Sequence, residues 1–295
     1  QELSLPKGGG ALKGIDEKFS VNPVNGTAGM ELPLPFTPGR GGFTPAISLS
    51  YSSGGGNSVY GLGWSDSLPQ IQRKTDKQLP LYLDGEESDV FVLAGAEDLV
   101  PVTDHAGEPL YIAHDTYIIK PYRPRIEGLF AQVMYIRPRD GGAGWWMMTT
   151  QDNLTTWYGL EPGHRIADPG DPSRVFSWLP SLVTDHKGNA QQFSYVPEDL
   201  DNVPHHVSEF HRHHDRTAFT NTYIKKISYG NVTPFFVADA AAGWLPNLPD
   251  TDWLFETVWD YGEHEGSSYE PVTGWPCRKD PSSVYRSGFE IRTYR

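Results

Sequence analysis

The chain has 295 residues, with 24 basic against 37 acidic side chains for a formal net charge of −13, a balance that opposes a polyanionic nucleic-acid partner. Its one cysteine, Cys277, excludes an intrachain disulfide, while 31 glycines, 25 prolines, 9 tryptophans and 15 tyrosines favour many short strands and turns over long helices. No apolar run reaches membrane-spanning length, so direct membrane insertion is not expected, and the amino end shows no classical signal peptide.

In chain order, the first 77 residues are glycine- and proline-punctuated β structure. Gly8-Gly9-Gly10 invites comparison with a phosphate loop, but Lys7 precedes it and no Gly-Lys-Ser or Gly-Lys-Thr follows, so it reads as a turn. Residues 44–51 alternate, with Ile47, Leu49 and Tyr51 on one face. Gly54-Gly55-Gly56-Asn57-Ser58 breaks the pattern and Gln70–Lys74 resumes it, which predicts a hairpin or meander. Further strands are predicted at Val90–Ala94, Leu110–Lys120, Ala131–Arg137, Gly144–Thr150, Leu154–Tyr158 and Val175–Leu179. Gln191–Val196, Tyr223–Tyr229, Trp253–Tyr261 and Gly288–Tyr294 follow. Trp253, Phe255, Thr257, Trp259 and Tyr261 share a face expected to be core or interface. The strand pattern lapses between Asp199 and Asn221, a possible sub-boundary, where Val207–Ala218 is the best place for a short helix with a thin apolar seam. Ala238–Gly243 could add one helical turn. Asp104-His105-Ala106-Gly107 and Asp185-His186-Lys187-Gly188-Asn189 repeat one turn chemistry, in which the carboxylate accepts from backbone amides and glycine takes positive φ.

Several islands carry a family resemblance: Ser4–Ala11, Phe19–Thr27, Pro38–Phe43, Leu49–Tyr51, Glu87–Phe91 and Gly95–Pro101 in the first part of the chain. Tyr122–Phe130, Arg165–Pro169, Tyr229–Asn231, Asp260–His264 and Arg286–Glu290 continue the series, with Asp199–Phe219 matching least. In that order they resemble the SpvB domain, the family of the Salmonella virulence plasmid 65 kDa B protein, also found at the amino end of Tc-toxin B subunits. The Asp185–Asn189 turn also looks like that of RHS or YD repeats. The resemblance implies a mainly β fold of short antiparallel strands in sandwich or meander sheets, part of an RHS-like shell, with one or two short helices. It implies one SpvB domain over residues 1–295, at the amino end of a longer protein. The implied function is structural and non-enzymatic: a β cocoon, built with an RHS-containing C subunit, that encloses a toxic polypeptide and docks on the A-subunit translocation channel. Release without a classical signal, from the producing cell's cytoplasm, would follow. An amino-terminal delivery half of an ADP-ribosyltransferase toxin and a surface adhesion module are the other readings.

For the chemistry-bearing residues, packing and solvation compete with a functional role. Five of the ten histidines, His205, His206, His211, His213 and His214, fall within one decapeptide, and His211 with His214 at i, i+3 could share a metal. With no cysteine nearby and a polar segment, a solvated loop or helix is the stronger reading. Glu263-His264-Glu265 has the spacing of a transferase Glu-x-Glu pair but lacks a preceding Ser-Thr-Ser strand. Trp145-Trp146 is read as strand residues facing core and surface, and Cys277 as a small residue packed near Trp275. No residue is therefore expected to be catalytic, to bind a cofactor or to ligate a metal.

Overall fold

The computed structural model describes residues 18–21, 28–93, 97–126, 131–237 and 243–295. Gly8–Gly10 and most of Ala238–Gly243 lie outside them. The chain divides into two compact units, one of residues 1–35 and 46–67, the other of residues 36–45 and 68–295. The segment 199–221 lies inside the second unit.

In the first unit, β1 (Lys18–Val21), β2 (Ala28–Pro33), β3 (Ser48–Ser52) and β6 (Trp64–Asp66) form an antiparallel sheet in that order, and β4 (Asn57–Ser58) with β5 (Gly61–Leu62) make a small hairpin. The predicted strand at 44–51 thus starts later, at Ser48. Its partners are β2 and β6, whereas β7 (Ile71–Arg73), expected to continue the same meander, joins the other unit's sheet. Gly63, at φ +82, shows why the turn needs glycine: a Cβ there would sit 2.6 Å from the Tyr51 ring.

The second unit is built on a thirteen-stranded antiparallel sheet. After β7 come β8 (Phe91–Leu93), β9 (Glu97–Pro101), β10 (Tyr117–Pro124), β11 (Ala131–Pro138), β12 (Trp145–Thr150) and β13 (Thr155–Tyr158). They are followed by β14 (Arg165–Asp168), β15 (Asp171–Trp178), β16 (Pro180–Thr184), β17 (Ala190–Pro197), β18 (Thr222–Asn231) and β19 (Trp253–Val258). The mainly β class and antiparallel pairing agree with the sequence-based expectation. Leu110–Thr116, expected as strand, stays outside β10, while β9, β14 and β16 were not anticipated; β16 is all but continuous with the predicted Val175–Leu179.

That continuity shapes the unit. Only Leu179 separates β15 from β16, yet β15 pairs with β7 while β16 pairs with β13, so one stretch grips both ends of the run β7–β13 and rolls it up. The roll is filled by aromatic side chains: Trp146 on β12 lies 5.8 Å from Trp178 on β15 and 4.8 Å from Phe91 on β8, ring centre to ring centre. Ile71, Leu99, Val133, Tyr135, Tyr158 and Val175 complete that core. Because strand side chains alternate, Trp145 points to the opposite face. That face is covered too, since Trp145 Nε1 donates to the Trp244 carbonyl at 2.6 Å and Trp157 Nε1 to that of Gly243 at 2.9 Å. Both members of the Trp145-Trp146 pair are buried, which corrects the core-and-surface expectation.

A short hairpin of β20 (Ser282–Val284) and β21 (Ile291–Thr293) closes the described chain. The segment Val207–Glu209 is a 3₁₀ turn running into α1 (Phe210–His214), shorter than the predicted Val207–Ala218. Its polarity is inverted. Glu209 and Arg212 are each 6% exposed, whereas Val207 and Phe210 are 83% and 63% exposed.

Candidate functional site

Arg73, the last residue of β7, shares the inward face of Ile71 and is 1% exposed. Its Nε donates to the Val175 carbonyl at 2.7 Å, and its terminal nitrogens to Asp84 at 2.6 and 3.0 Å and Asp89 at 2.7 Å. Burial, the largest influence, would push the Arg73 guanidinium down; hydrogen bonding to Asp84 together with the charges of Asp84 and Asp89 offsets it and holds the group above its ordinary value. The same pairing holds Asp84 below its usual range despite burial, and the Tyr135 hydroxyl donates to it at 2.8 Å. The guanidinium groups of Arg73 and Arg174 lie 4.6 and 4.7 Å from the centre of the Tyr82 ring. Lys120 on β10, 4% exposed, pairs with Glu87. The segment carrying these acids takes left-handed backbone at Tyr82 (φ 61) and Glu87 (φ 53), a strain the ion pairs hold in place. This hub was not singled out from sequence, although period-two alternation already placed Arg73 on the face of Ile71.

The Glu-x-Glu-like pair is split. Glu263 is buried against Lys225, while Glu265 is exposed. Lys225 Nζ also donates to the Trp259 carbonyl at 2.8 Å and to His264 Nε2 at 2.7 Å. His264 Nδ1 faces the Ser268 carbonyl at 3.0 Å, which can only accept, so the proton sits on Nδ1 and Nε2 is the acceptor for lysine. Asp260, Glu263 and His264 are, among the described residues, a group of potential metal ligands within 4.8 Å of one another, and the ammonium of Lys225 stands at that group.

The five clustered histidines go to different partners. His205 and His213 stack at 4.0 Å, His214 packs on Phe210 at 4.1 Å, and His206 accepts from the Ser208 amide. His211 Nε2 lies 3.8 Å from Glu290. His211 and His214 therefore end against different groups. Behind them Arg212 binds both Glu290, at 2.5 and 3.0 Å, and Glu209, at 2.8 Å; Arg292 binds Glu209 at 2.6 Å. Cys277 is half-buried and packs with Val203, Phe219 and Tyr294.

Tertiary structure also assembles a Ser-His-Glu set that spacing did not reveal. His164 Nδ1 lies 2.8 Å from Ser181 Oγ, and its Nε2 3.6 Å from Glu161. Ser181 is 0% exposed and its Oγ accepts from the Leu160 amide at 2.9 Å, so its proton goes to His164 and no substrate can reach it. Burial, then the charge of Arg165, pushes His164 down to about 4.

Both repeated turns fold alike. Asp104 Oδ1 accepts from the amides of Ala106 (2.8 Å) and Glu108 (3.0 Å); Asp185 Oδ1 accepts from Lys187 and Asn189, both at 2.9 Å. Gly107 and Gly188 sit at φ +88 and +83. The second turn is braced further: Asn231 donates to the Gly188 carbonyl and accepts from the Ala190 amide, each at 2.8 Å. Charge and hydrogen-bonding capacity in these groups are thus spent largely on holding strands and turns together.

Comparison with known proteins agrees with that architecture. The model of the family "SpvB: Salmonella virulence plasmid 65kDa B protein" matches residues 22–295. The chain belongs to the SpvB family. It is 35% identical over 303 residues to the mono(ADP-ribosyl)transferase SpvB of Salmonella typhimurium strain 14028s, covering 99% of this chain and 49% of that protein. The chain therefore spans about half the length of the curated relatives it matches. The solved amino-terminal domain of the effector SpvB from Salmonella typhimurium LT2 superposes with a TM-score of 0.78 at 34% identity, covering 90% of this chain and 84% of that one. A chain of the TcdB2-TccC3 crystal structure gives 0.79 at 32%, and one of the Photorhabdus luminescens Tc holotoxin pore 0.81 at 32%; each covers 100% of this SpvB-family chain and 14% of the other.

Proposed function

We propose that this SpvB-family domain is a non-enzymatic structural part of a bacterial Tc-type toxin. One SpvB domain over residues 1–295, it helps build the β cocoon that encloses the C subunit's toxic polypeptide and docks on the translocation channel of the A subunit. The observation that carries the reading is the likeness over 100% of this chain to part of the TcdB2-TccC3 structure. The rolled sheet, with its aromatic core and buried ion pairs, is the material such a long-lived enclosure needs. Its partners are an RHS-containing C subunit and the A-subunit channel, and it acts outside the producing cell after release from the cytoplasm. Co-expression of the full-length protein with an RHS-containing C subunit tests this. Co-purification with the C subunit's carboxyl-terminal region protected from protease is expected, and two separately eluting proteins overturn it.

The second reading, an amino-terminal delivery half of an ADP-ribosyltransferase, is favoured by the name of the curated relatives. In either reading we expect no transferase activity from the Glu263-His264-Glu265 motif of this chain, because Glu263 is tied to Lys225. NAD consumption by the isolated chain would overturn that statement.

A further inference from the structure

We propose that the outward face of β12, β13 and β16 carries a binding groove for a neutral saccharide. Thr149, Thr155 and Thr184 stand directly opposite one another on these three strands, with Thr149 and Thr155 hydroxyls 3.1 Å apart. They line a groove of about 410 Å³ together with Asn153 and His186. Neighbouring strands lie about 4.8 Å apart, so the three side chains form a cross-strand row in which one of the paired Thr149 and Thr155 hydroxyls donates to the other, the acceptor keeps its own proton for a ligand, and Thr184 lies deeper at 7% exposed. One wall is Phe236, 62% exposed, whose ring rests over the bare backbone of Gly188. A Cβ on Gly188 would come within 2.7 Å of that ring, so the Asp185–Asn189 turn sets the position of an exposed aromatic surface. An aromatic wall beside a ladder of neutral hydroxyls suits a ring with C–H faces and hydroxyl edges.

Two observations narrow the ligand class. Asp185, the carboxylate in the lining, uses Oδ1 on the amides of Lys187 and Asn189 and Oδ2 on the Asn189 side chain at 2.7 Å, so its oxygens are occupied within the turn and the neutral hydroxyl and amide groups are left to meet the ligand. The strands β12, β13 and β16 are each paired on both sides, so the floor offers side-chain hydroxyls and no free strand edge for an extended peptide.

Isothermal titration of the intact chain with maltohexaose, cellohexaose and chitohexaose tests the proposal, alongside a Ser/Thr-rich decapeptide. Binding of at least one sugar is expected, weakened about tenfold or more by Phe236→Ala and by Thr155→Val, which keeps the side chain's shape and removes its hydroxyl. Phe210→Ala, on the exposed face of α1, should leave the affinity unchanged. Should Thr155→Val lower the melting temperature, Asn153→Gly, which tolerates the left-handed backbone of that position (φ 56), reads the same groove from its rim. No heat with any sugar at millimolar concentration, sugar binding indifferent to Phe236→Ala, or binding of the decapeptide in preference to all three sugars overturns it.

Discussion

Lys225 Nζ stands 2.7 Å from His264 Nε2, with its other donors on Glu263 and the Trp259 carbonyl, so one ammonium fills three acceptors. The pair explains why an apparent Glu-x-Glu motif is structural here. Removing the cation leaves Glu263, 7% exposed, as an uncompensated buried charge. Lys225→Met should therefore destabilise the chain by about 3 kcal/mol in a urea titration. Pairing it with Glu263→Gln should restore part of the loss. A double variant no more stable than Lys225→Met would show that the two residues are not coupled.

A larger effect is expected at the Arg73 hub. Arg73→Met strands Asp84 and Asp89 together and should cost about 3–5 kcal/mol, with loss of the near-ultraviolet circular dichroism of the aromatic core. Asp98, which pairs with Lys74 at 2.8 Å where the lysine is a third exposed, gives the contrast. Asp98→Asn should cost about 1 kcal/mol or less.

His164 makes stability depend on pH. Its folded value of about 4 lies below the ordinary imidazole value, so the unfolded chain binds the extra proton between the two. The contribution is fully present above about pH 6.5 and is lost as pH falls toward 4, amounting to about 3 kcal/mol at most. His164→Gln should flatten this part of the stability profile measured by chemical denaturation from pH 7 to pH 4. An unchanged slope would exclude His164 as its source.

The two aspartate turns differ in what surrounds their glycines. Gly107 at φ +88 has open space around its Cβ direction, so Gly107→Ala pays backbone strain alone, about 1 kcal/mol. Gly188→Ala adds contact with Phe236 at 2.7 Å and Pro234 at 3.0 Å and should cost measurably more. Equal melting temperatures for the two variants would contradict the packing described at Phe236.

Inverted polarity in Val207–His214 reverses the usual mutational rule. Val207→Asp, at an 83% exposed position, should stay within about 0.5 kcal/mol of the parent. Arg212→Met, which strands Glu209 and Glu290, should cost about 3 kcal/mol or more. Thermal melts of both variants decide it.

Composition, period-two alternation and turn chemistry were enough to read the β class, most strands from Val90 to Tyr229 and both aspartate turns, because each rests on local backbone preference. The order of family islands likewise ran along the chain and needed no fold. Pairing did not. Ile71–Arg73 alternates as well with one neighbour as another, and only the roll, closed by the continuous β15 and β16, assigns it to β8 and β15. Burial of charge was equally hidden: alternation sets Arg73 on the face of Ile71 and Glu209 lies one turn from Arg212, but nothing local marks Arg73, Lys225 or Arg212 as buried ions until Asp84, Glu263 and Glu290 arrive from 11, 38 and 78 residues away. Short strands and turns are decided within a few residues; partners of buried ions, and the face on which Thr149, Thr155, Thr184 and Phe236 meet, are decided only when distant segments pack, because only packing removes the water that would otherwise satisfy them.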